Sequence, residues 1–301
     1  MIDVSSYSAG VQILALCRYS GVTPRLFEAL LRRFNTLEQI LLADRAALLE
    51  IEGLTQKAAR LIERAPERLS EAAQYQENLS AREIKFFHRM DENYPSLFFQ
   101  LNDPPPMLYY KGQPLTGDSR SVTIVGASEA TPRGLQVTSS LVRELVRHQI
   151  RIVSSLSPGV DMTALLTCLS AEGRPVAVCE QGFDRIINEA KIRLAVDVAA
   201  KGTVISEYSP EVEPDKVTLR QADRLMVGLS HAVVVTEVYG ESERVLDILN
   251  FCRDIGKLAF YMIDPDHGVL ADESSLARAL ECGVIPIKGF EHVEDIIKSL
   301  V

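Results

Sequence analysis

A strand, a tight turn and the start of a helix follow one another in residues 122–134, Val-Thr-Ile-Val-Gly-Ala-Ser-Glu-Ala-Thr-Pro-Arg-Gly. The first four residues form the short, apolar and β-branched run that a buried parallel strand requires. Gly126 allows a sharp backbone turn, and the helix that begins near Gly134 offers free amides to an anion. A tight structural turn explains one glycine equally well, because the stretch lacks the G-x-G-x-x-G pattern of dinucleotide-binding proteins.

Further apolar strands alternate with helical segments after this first unit. Continuous β-branched runs separated by amphipathic helices are typical of a parallel sheet that is covered on both faces. This alternation predicts an α/β fold with a doubly wound, Rossmann-like parallel sheet. The predicted strands are Val122–Val125, Arg151–Leu156, Pro175–Cys179, Thr203–Tyr208, Ala232–Val238 and Leu258–Ile263.

The N-terminal part of the chain has a different pattern, in which apolar residues recur at helical spacing. We therefore predict a small all-helical domain of the helix-hairpin-helix or SAM-like type over residues 1–82. A proline-rich connector and a short entry strand, Met107–Gly112, follow in residues 83–113, because proline favours extended chain. The Rossmann-like domain is predicted over residues 114–301, with a final helix at His292–Leu300.

Two breaks in the N-terminal helical pattern, at residues 20–24 and 52–55, have the form of helix-hairpin-helix turns. In each, a glycine follows one helix and a threonine, Thr23 or Thr55, can cap the next. Such turns bind a DNA phosphate when a Gly-apolar-Gly sequence lets backbone amides approach closely, and the threonine Cβ obstructs that approach. A structural role is therefore favoured, with DNA contact as the alternative.

Composition limits the classes of partner and of chemistry. The formal net charge is −9, and most of it lies beyond residue 113, which argues against broad attraction to nucleic acid or anionic membranes. The apolar runs are far shorter than the roughly 20 residues that cross a bilayer, and the first residues do not resemble a signal peptide. The five cysteines and five histidines are dispersed, so we expect a cytoplasmic protein with reduced thiols, no metal and no cofactor.

A second turn, residues 154–161, also leads from a strand into a helix. Gly159 can bring the backbone close to a phosphate, and Ser154 lies at the same strand end. Asp161 is placed to cap the helix that follows, and we favour this capping role over a ligand role.

Glutamates follow three of the other strands, at Glu180, Glu207 and Glu237. Carboxylates at neighbouring strand ends can form a hydrolytic or ribose-binding set. They can equally cap helices or pair with Arg224 and Arg244. We favour binding of ligand hydroxyls or structural pairing, because no nucleophile with an adjacent base is visible.

The two turns resemble motifs of the DprA/Smf DNA-processing family. Residues 126–134 are similar to its Gly-Ser-Arg-x-Ala-Thr-x-x-Gly turn, and residues 153–161 to its Ser-Gly-x-Ala-x-Gly-Ile-Asp segment. The resemblance implies an extended Rossmann fold behind a helical domain, a homodimer formed through the Rossmann-like part, binding of single-stranded DNA and its delivery to a RecA-type recombinase. The C-terminal winged-helix domain that many members carry is not expected. Further matches occur in the family's order at residues 105–112, 182–186, 205–208 and 224–230.

The sequence departs from this family mainly at basic positions. Ser128 stands where the first turn has an arginine, Pro158 where the second has one, and Leu165 where a histidine follows. Of the family's Phe-Pro-x-Arg-Asn-Arg motif only Arg224 stays in register, and Glu241-Ser242-Glu243 lies near its Ser-Gly-Ser phosphate turn. Each lost phosphate contact weakens binding of a single strand.

A reduced anion site is the resulting prediction, with Arg224 as its first candidate. The residues predicted to contact DNA phosphate or another ligand are Gly126, Ala127, Ser128, Arg133, Ser154, Gly159, Asp161, Arg220, Arg224 and Lys257.

Three functions are compatible with these patterns. The first is non-catalytic binding of single-stranded DNA and its transfer to a recombinase during DNA uptake. The second is a regulatory or defence module of the same fold that binds a protein partner or a nucleotide-derived ligand, with DNA binding weakened or lost. The third is a phosphoribohydrolase-like enzyme acting on nucleotides, which only the three glutamates favour.

Overall fold

The chain divides into two compact units. The computed structural model describes residues 2–115, 119–239, 243–264, 266, 268–289 and 293–300. The first unit comprises Met1–Tyr94 and Leu101–Tyr110, and the second comprises Pro95–Gln100 and Lys111–Val301. The domain boundaries predicted at residues 82 and 113 remain a prediction.

The first unit is mainly helical, and its two predicted hairpin turns carry the expected caps. The side chains of Thr23 and Thr55 accept hydrogen bonds from the backbone amides three residues later, which confirms their capping roles. Gly21 and Gly53 precede them with φ angles of 68° and 78°. The helices are α1 Ala9–Leu14, α2 Pro24–Phe34, α3 Leu37–Leu41, α4 Arg45–Leu48, α5 Gln56–Glu63 and α6 Leu69–Ala81.

Two antiparallel strands follow α6. These are β1 Lys85–His88 and β2 Met107–Gly112, with Phe86 opposite Tyr109. The bounds of β2 match the predicted entry strand. The strand β1 was not predicted, because it lies in the segment that its prolines marked as a connector.

A parallel sheet forms the centre of the second unit. Its neighbours run in the order β6-β5-β4-β3-β7-β8-β10, and every pair along this path is parallel, with β9 added antiparallel to β8. The order reverses at β3, as in a doubly wound fold, so the predicted fold class is confirmed. The strands are β3 Ser121–Val125, β4 Arg151–Ser155, β5 Pro175–Val178, β6 Thr203–Ser206, β7 Ala232–Val235, β8 Leu258–Asp264, β9 Gly268–Val269 and β10 Ile285–Lys288.

Helices cover both faces of this sheet. Val122 and Ile124 pack with Leu141 on one face, whereas Thr123 points to the other and donates a hydrogen bond of 2.8 Å to the Met226 carbonyl. A strand buried on both faces needs the uninterrupted apolar run seen in the sequence. The helices are α7 Pro132–Arg147, α8 Val160–Ser170, α9 Glu189–Lys201, α10 Lys216–Gly228, α11 Glu243–Asp254, α12 Glu273–Glu281 and α13 Val293–Ser299. Of the predicted final helix, His292 lies outside the described residues.

The ends of the parallel strands define two edges of the sheet. The carboxyl edge is where β3–β8 end, and the amino edge is where they begin. Ligands of open α/β sheets bind beyond the carboxyl edge, near the strand at which the order reverses. The turns that follow β3 and β4 meet there.

Candidate functional site at the carboxyl edge

The first two turns of the carboxyl edge pack directly on one another. The Val160 amide donates to the Ala127 carbonyl at 3.1 Å, and the Ala127 amide donates to the Glu237 carbonyl at 2.9 Å. Gly159 has φ of 79°, and a Cβ there would overlap the carbonyl oxygens of Ala127 and Ser128. The two turns therefore form one frame that requires a glycine, while Ser128 stays exposed.

The N-terminus of α7, predicted to hold an anion, holds a carboxylate of the protein itself. Glu237 is fully buried and accepts hydrogen bonds from the Thr131 amide at 3.0 Å and the Thr131 hydroxyl at 2.5 Å. Its carboxylate lies where a Cβ on Gly134 would be. A negative charge at a helix N-terminus is stabilised by the exposed amides and the helix dipole. Glu237 thus occupies the position that a ligand phosphate would need.

Asp161 does not cap α8, and that prediction is wrong. Gly159 holds the N-cap position, and Asp161 lies inside the first turn with no capping hydrogen bond. Its carboxylate instead accepts hydrogen bonds from the Ser155 hydroxyl at 2.6 Å and from Arg244 at 2.8 Å. The helix begins two residues earlier than expected, because glycine can adopt the backbone angles needed at position 159.

Arg244 joins two buried carboxylates. It pairs with Asp161 at 2.8 Å and with Asp223 at 2.9 Å, and the side chains of these aspartates are 1% and 3% exposed. We call Arg244, Asp161 and Asp223 the buried triad. Asp223 and Arg244 line a cavity of about 10 Å³ together with Ser155, Glu180 and Lys191. This cavity has room for roughly one water molecule and is too small for a nucleotide.

The carboxyl of Asp223 has a strongly perturbed pKa. This pKa is raised from 3.8 to about 7, mainly by burial and in smaller part by the charges of Asp161 and Glu180, while Arg244 acts in the opposite direction. One arginine is thus shared by two buried carboxylates, so protonation of Asp223 leaves the triad neutral.

Replacing Asp223 with asparagine is expected to change how stability depends on pH. A folded-state pKa above the unfolded value means that folding takes up a proton, so the free energy of unfolding falls as pH rises from about 4 to about 7. Asp223→Asn removes this contribution, and its free energy of unfolding should rise relative to the wild type over that interval. Urea unfolding at several pH values measures the difference.

The control for this pH effect is Asp247→Asn. Asp247 pairs with Arg220 at 3.6 Å, and its side chain is 39% exposed, so the variant removes a surface carboxylate from a similar pair. Parallel profiles for Asp223→Asn and the wild type would contradict the raised pKa.

Three other arginines predicted for the site are also paired with carboxylates. Arg224 is buried against Glu207 at 3.0 Å, and Arg133 pairs with Asp264 at 2.5 Å and with Asp266 at 2.8 Å. Glu180 pairs with Lys191 at 3.1 Å. Arg220 differs, because its side chain is 61% exposed and its pairing distance is long. The carboxyl edge is therefore largely neutralised from within, and Arg220 is the accessible member of the predicted cations.

The carboxyl-edge turns and the strands that carry them match a known family. The family model described as DNA recombination-mediator protein A matches residues 85–250, more than half of the chain. The chain belongs to the DNA recombination-mediator protein A family. A second model, the SAM-like helix-hairpin-helix tandem, matches residues 13–65.

Curated relatives of this family support the assignment. Protein Smf of Synechocystis sp. is 33% identical over 252 residues, which cover 81% of this chain and 63% of that protein. The DNA processing protein DprA of Bacillus subtilis is 33% identical over 147 residues, 48% of this chain and 50% of that protein. The chain thus spans between about half and two thirds of the length of these relatives.

Solved structures agree on the fold of the recombination-mediator family. DNA processing protein A of Streptococcus pneumoniae superimposes with a TM-score of 0.81 at 22% identity, covering 96% of this chain and 98% of that chain. DNA processing protein A of Helicobacter pylori, solved to describe its single-stranded DNA binding mode, gives 0.62 at 24% identity and covers 72% and 96%.

Two further residues that were predicted for the site, Lys257 and Ser154, form hydrogen bonds to backbone carbonyls. Lys257 precedes β8 and so lies at the amino edge, where its buried ammonium donates to the Ser230 carbonyl at 2.5 Å. The Ser154 hydroxyl donates to the Ile124 carbonyl at 2.7 Å and holds β4 against β3. Including Lys257 was wrong, because it comes before its strand rather than after it.

Asp223, Ser155 and Lys191 were not predicted from the sequence as members of the site. A signal for Asp223 exists: Asp223 and Arg224 are adjacent charged residues in the half of α10 that faces the core, and both are buried. Buried charges need partners, so such a pair in a core-facing helix predicts an ion-pair network. The predicted Glu241 and Ser242 lie outside the described residues, and Glu243 begins α11 with an exposed side chain.

The described residues set limits on other kinds of site. They contain no helix with the length and apolar character of a membrane span. Within the same parts of the chain, no three His, Cys, Asp or Glu side chains are grouped so that they could hold a metal ion. The cysteines are free thiols.

Proposed function

We propose that this protein binds single-stranded DNA without catalysing a reaction on it, as a DNA-processing protein of the recombination-mediator family. The supporting observation is the family match over residues 85–250, which includes β3–β7 and their carboxyl-edge turns. The S. pneumoniae and B. subtilis relatives are named DNA processing proteins. The solved structure of the H. pylori protein describes its mode of single-stranded DNA binding.

The geometry of the carboxyl edge favours weak binding of phosphate at this edge. Glu237 fills the N-terminus of α7, and the cavity lined by Asp223 and Arg244 has a volume of only about 10 Å³. The groups left for a strand are the exposed Ser128 and the guanidinium of Arg220, which lies 5.6 Å from the centre of the Phe251 ring. A cation beside an aromatic ring is the combination that single-strand binding proteins use for phosphate and base.

Binding of a fluorescent oligo-dT across a salt series tests this function. We expect salt-sensitive binding by the wild type. Arg220→Glu should weaken it by about tenfold and reduce the slope of log K against log salt by about 0.7, the value for one phosphate contact with a single strand. The control is Arg278→Glu, the same charge reversal at an exposed site on α12.

Absence of binding by the wild type at low salt would overturn the proposed function. The second sequence-based hypothesis, a module for a protein partner or a nucleotide-derived ligand, would then be favoured. Arg224→Ala is a poor first test, because it leaves Glu207 buried beside the lost charge and so perturbs folding together with binding.

Three further properties are proposed from the family alone. They are a homodimer formed through the second unit, handover of DNA to a RecA-type recombinase, and a cytoplasmic location. Exposed apolar side chains on and next to α9, Ile187, Ile192 and Val196, give that unit a surface suited to protein contacts.

A further inference from the structure

Three basic residues lie side by side at the amino edge of the sheet. Arg151 begins β4, Arg174 immediately precedes β5, and Lys201 ends α9 two residues before β6. These strands are neighbours in the order β6-β5-β4, and Ile152 is opposite Pro175 while Val176 is opposite Thr203. Adjacent strands are about 4.8 Å apart, so the three chain positions form a row across this edge. We call them the basic row.

Two open clefts meet at the basic row, and each has a volume of about 370 Å³. All three members of the row line one cleft, together with uncharged residues such as Gly202. No described residue that lines this cleft is acidic. Arg151 and Arg174 also line the second cleft, where Ser119 and Glu172 are present. Each volume is within the range of small-ligand sites, and the shared arginines connect the two clefts.

The electrostatics of the basic row differ from those of the carboxyl edge. Burial lowers the pKa of Arg151, and the adjacent charge of Arg174 lowers it further, as expected for like charges held close together. Arg174 and Lys201 are exposed. The C-termini of α8 and α9 carry partial negative charge at this edge. This charge stabilises the three cations, although the cleft that all three line has no described carboxylate.

We propose that the basic row binds the phosphate backbone of a single DNA strand, as a second contact surface on the opposite edge from the family's turns. The identity of the ligand rests on the proposed function. A polymer fits better than a single phosphate, because the two clefts flank the same pair of arginines and consecutive phosphates can pass from one cleft to the other. Arg174 and Lys201, as the exposed members, would contact the strand, with Arg151 adding charge beneath them.

Charge reversal of the exposed members tests the proposal. Arg174→Glu and Lys201→Glu should each weaken binding of oligo-dT by about tenfold at low salt and reduce the salt slope by about 0.7. Both side chains are exposed, so folding should be unaffected, and circular dichroism checks this. Arg278→Glu on α12 controls for net charge, and Arg220→Glu reports on the carboxyl edge.

The outcomes separate this proposal from the proposed function. If the wild type binds oligo-dT and both amino-edge variants bind equally well with the same salt slope, the function stands and the basic row is not its site. If the wild type does not bind oligo-dT, the proposed function is overturned. The change in Tm on addition of inorganic tripolyphosphate then tests whether the basic row binds phosphate. A rise in Tm that Arg174→Glu abolishes would keep the row as a phosphate site, and no rise would overturn it.

Discussion

Replacing Arg244 with methionine is expected to lower the free energy of unfolding by about 3–5 kcal/mol at pH 8, because it leaves two buried carboxylates without their cation. Asp161 and Asp223 both depend on this guanidinium, at 2.8 and 2.9 Å, and their side chains have almost no contact with solvent. Methionine keeps most of the volume of the arginine stem, so the change is mainly electrostatic. Urea unfolding followed by circular dichroism measures the loss.

The pH dependence of the stability lost in Arg244→Met shows whether unpaired carboxylates cause that loss. If unpaired carboxylates are responsible, the loss should shrink as pH falls, because protonation of Asp223 removes one of the two buried charges. Arg193→Met is the control, since Arg193 pairs with Glu189 on the exposed surface of α9, where such pairs contribute little. A loss for Arg244→Met that is as small as that of the control, or independent of pH, would contradict the role of the buried triad.

The apolar patterns of the chain predicted most of the sheet, and particular residues explain what they missed. Ala232–Val235 and Ser121–Val125 are buried at every position, and their mostly apolar, β-branched residues identify them. The strand β10, Ile285–Lys288, was missed because it buries one side chain of four and contains a proline. Its pairing with β8 depends on tertiary contact that periodicity does not record.

The sequence pointed to the location of the candidate site but not to all of the ion pairs within it. The rule that ligands bind after parallel strands drew attention to the turns containing Gly126 and Gly159, and these turns pack on one another at the carboxyl edge. The same rule, applied strictly, excludes Lys257, which precedes β8. The pairing of Arg244 with Asp161 was beyond sequence reasoning, because Asp161 lies 83 residues away and the two meet only when α8 and α11 are placed around the sheet.

The distribution of charge between the two edges gives a physical account of the divergence from the family pattern. At the carboxyl edge, Arg133 and Arg224 are paired within the protein, so they stabilise the frame rather than attract phosphate. At the amino edge, Arg174 and Lys201 face the surface beside a cleft whose described lining holds no acid. The net charge of −9 therefore does not exclude a strongly basic surface on this molecule.

Replacing Gly159 with alanine is expected to lower the free energy of unfolding by about 2–4 kcal/mol, since strain and overlap act together. Its φ of 79° and ψ of −130° lie in a region that side chains with a Cβ avoid. The added Cβ would also overlap the Ala127 and Ser128 carbonyls, which belong to backbone and move only if the whole turn moves. Because that turn accepts the Val160 amide, the variant should also separate the two carboxyl-edge turns.

Gly256→Ala separates these two causes. Gly256 has a φ of 68° in the same unit, and nothing lies within 4 Å of a Cβ built there, so its substitution adds strain without overlap. The expected loss for this control is about 1–2 kcal/mol, the cost of a left-handed residue with a Cβ. If the two variants lose the same stability in urea unfolding, close packing of the turns contributes nothing at Gly159. A larger loss for Gly159→Ala is the expected result, because overlap with the Ala127 and Ser128 carbonyls adds to the backbone strain.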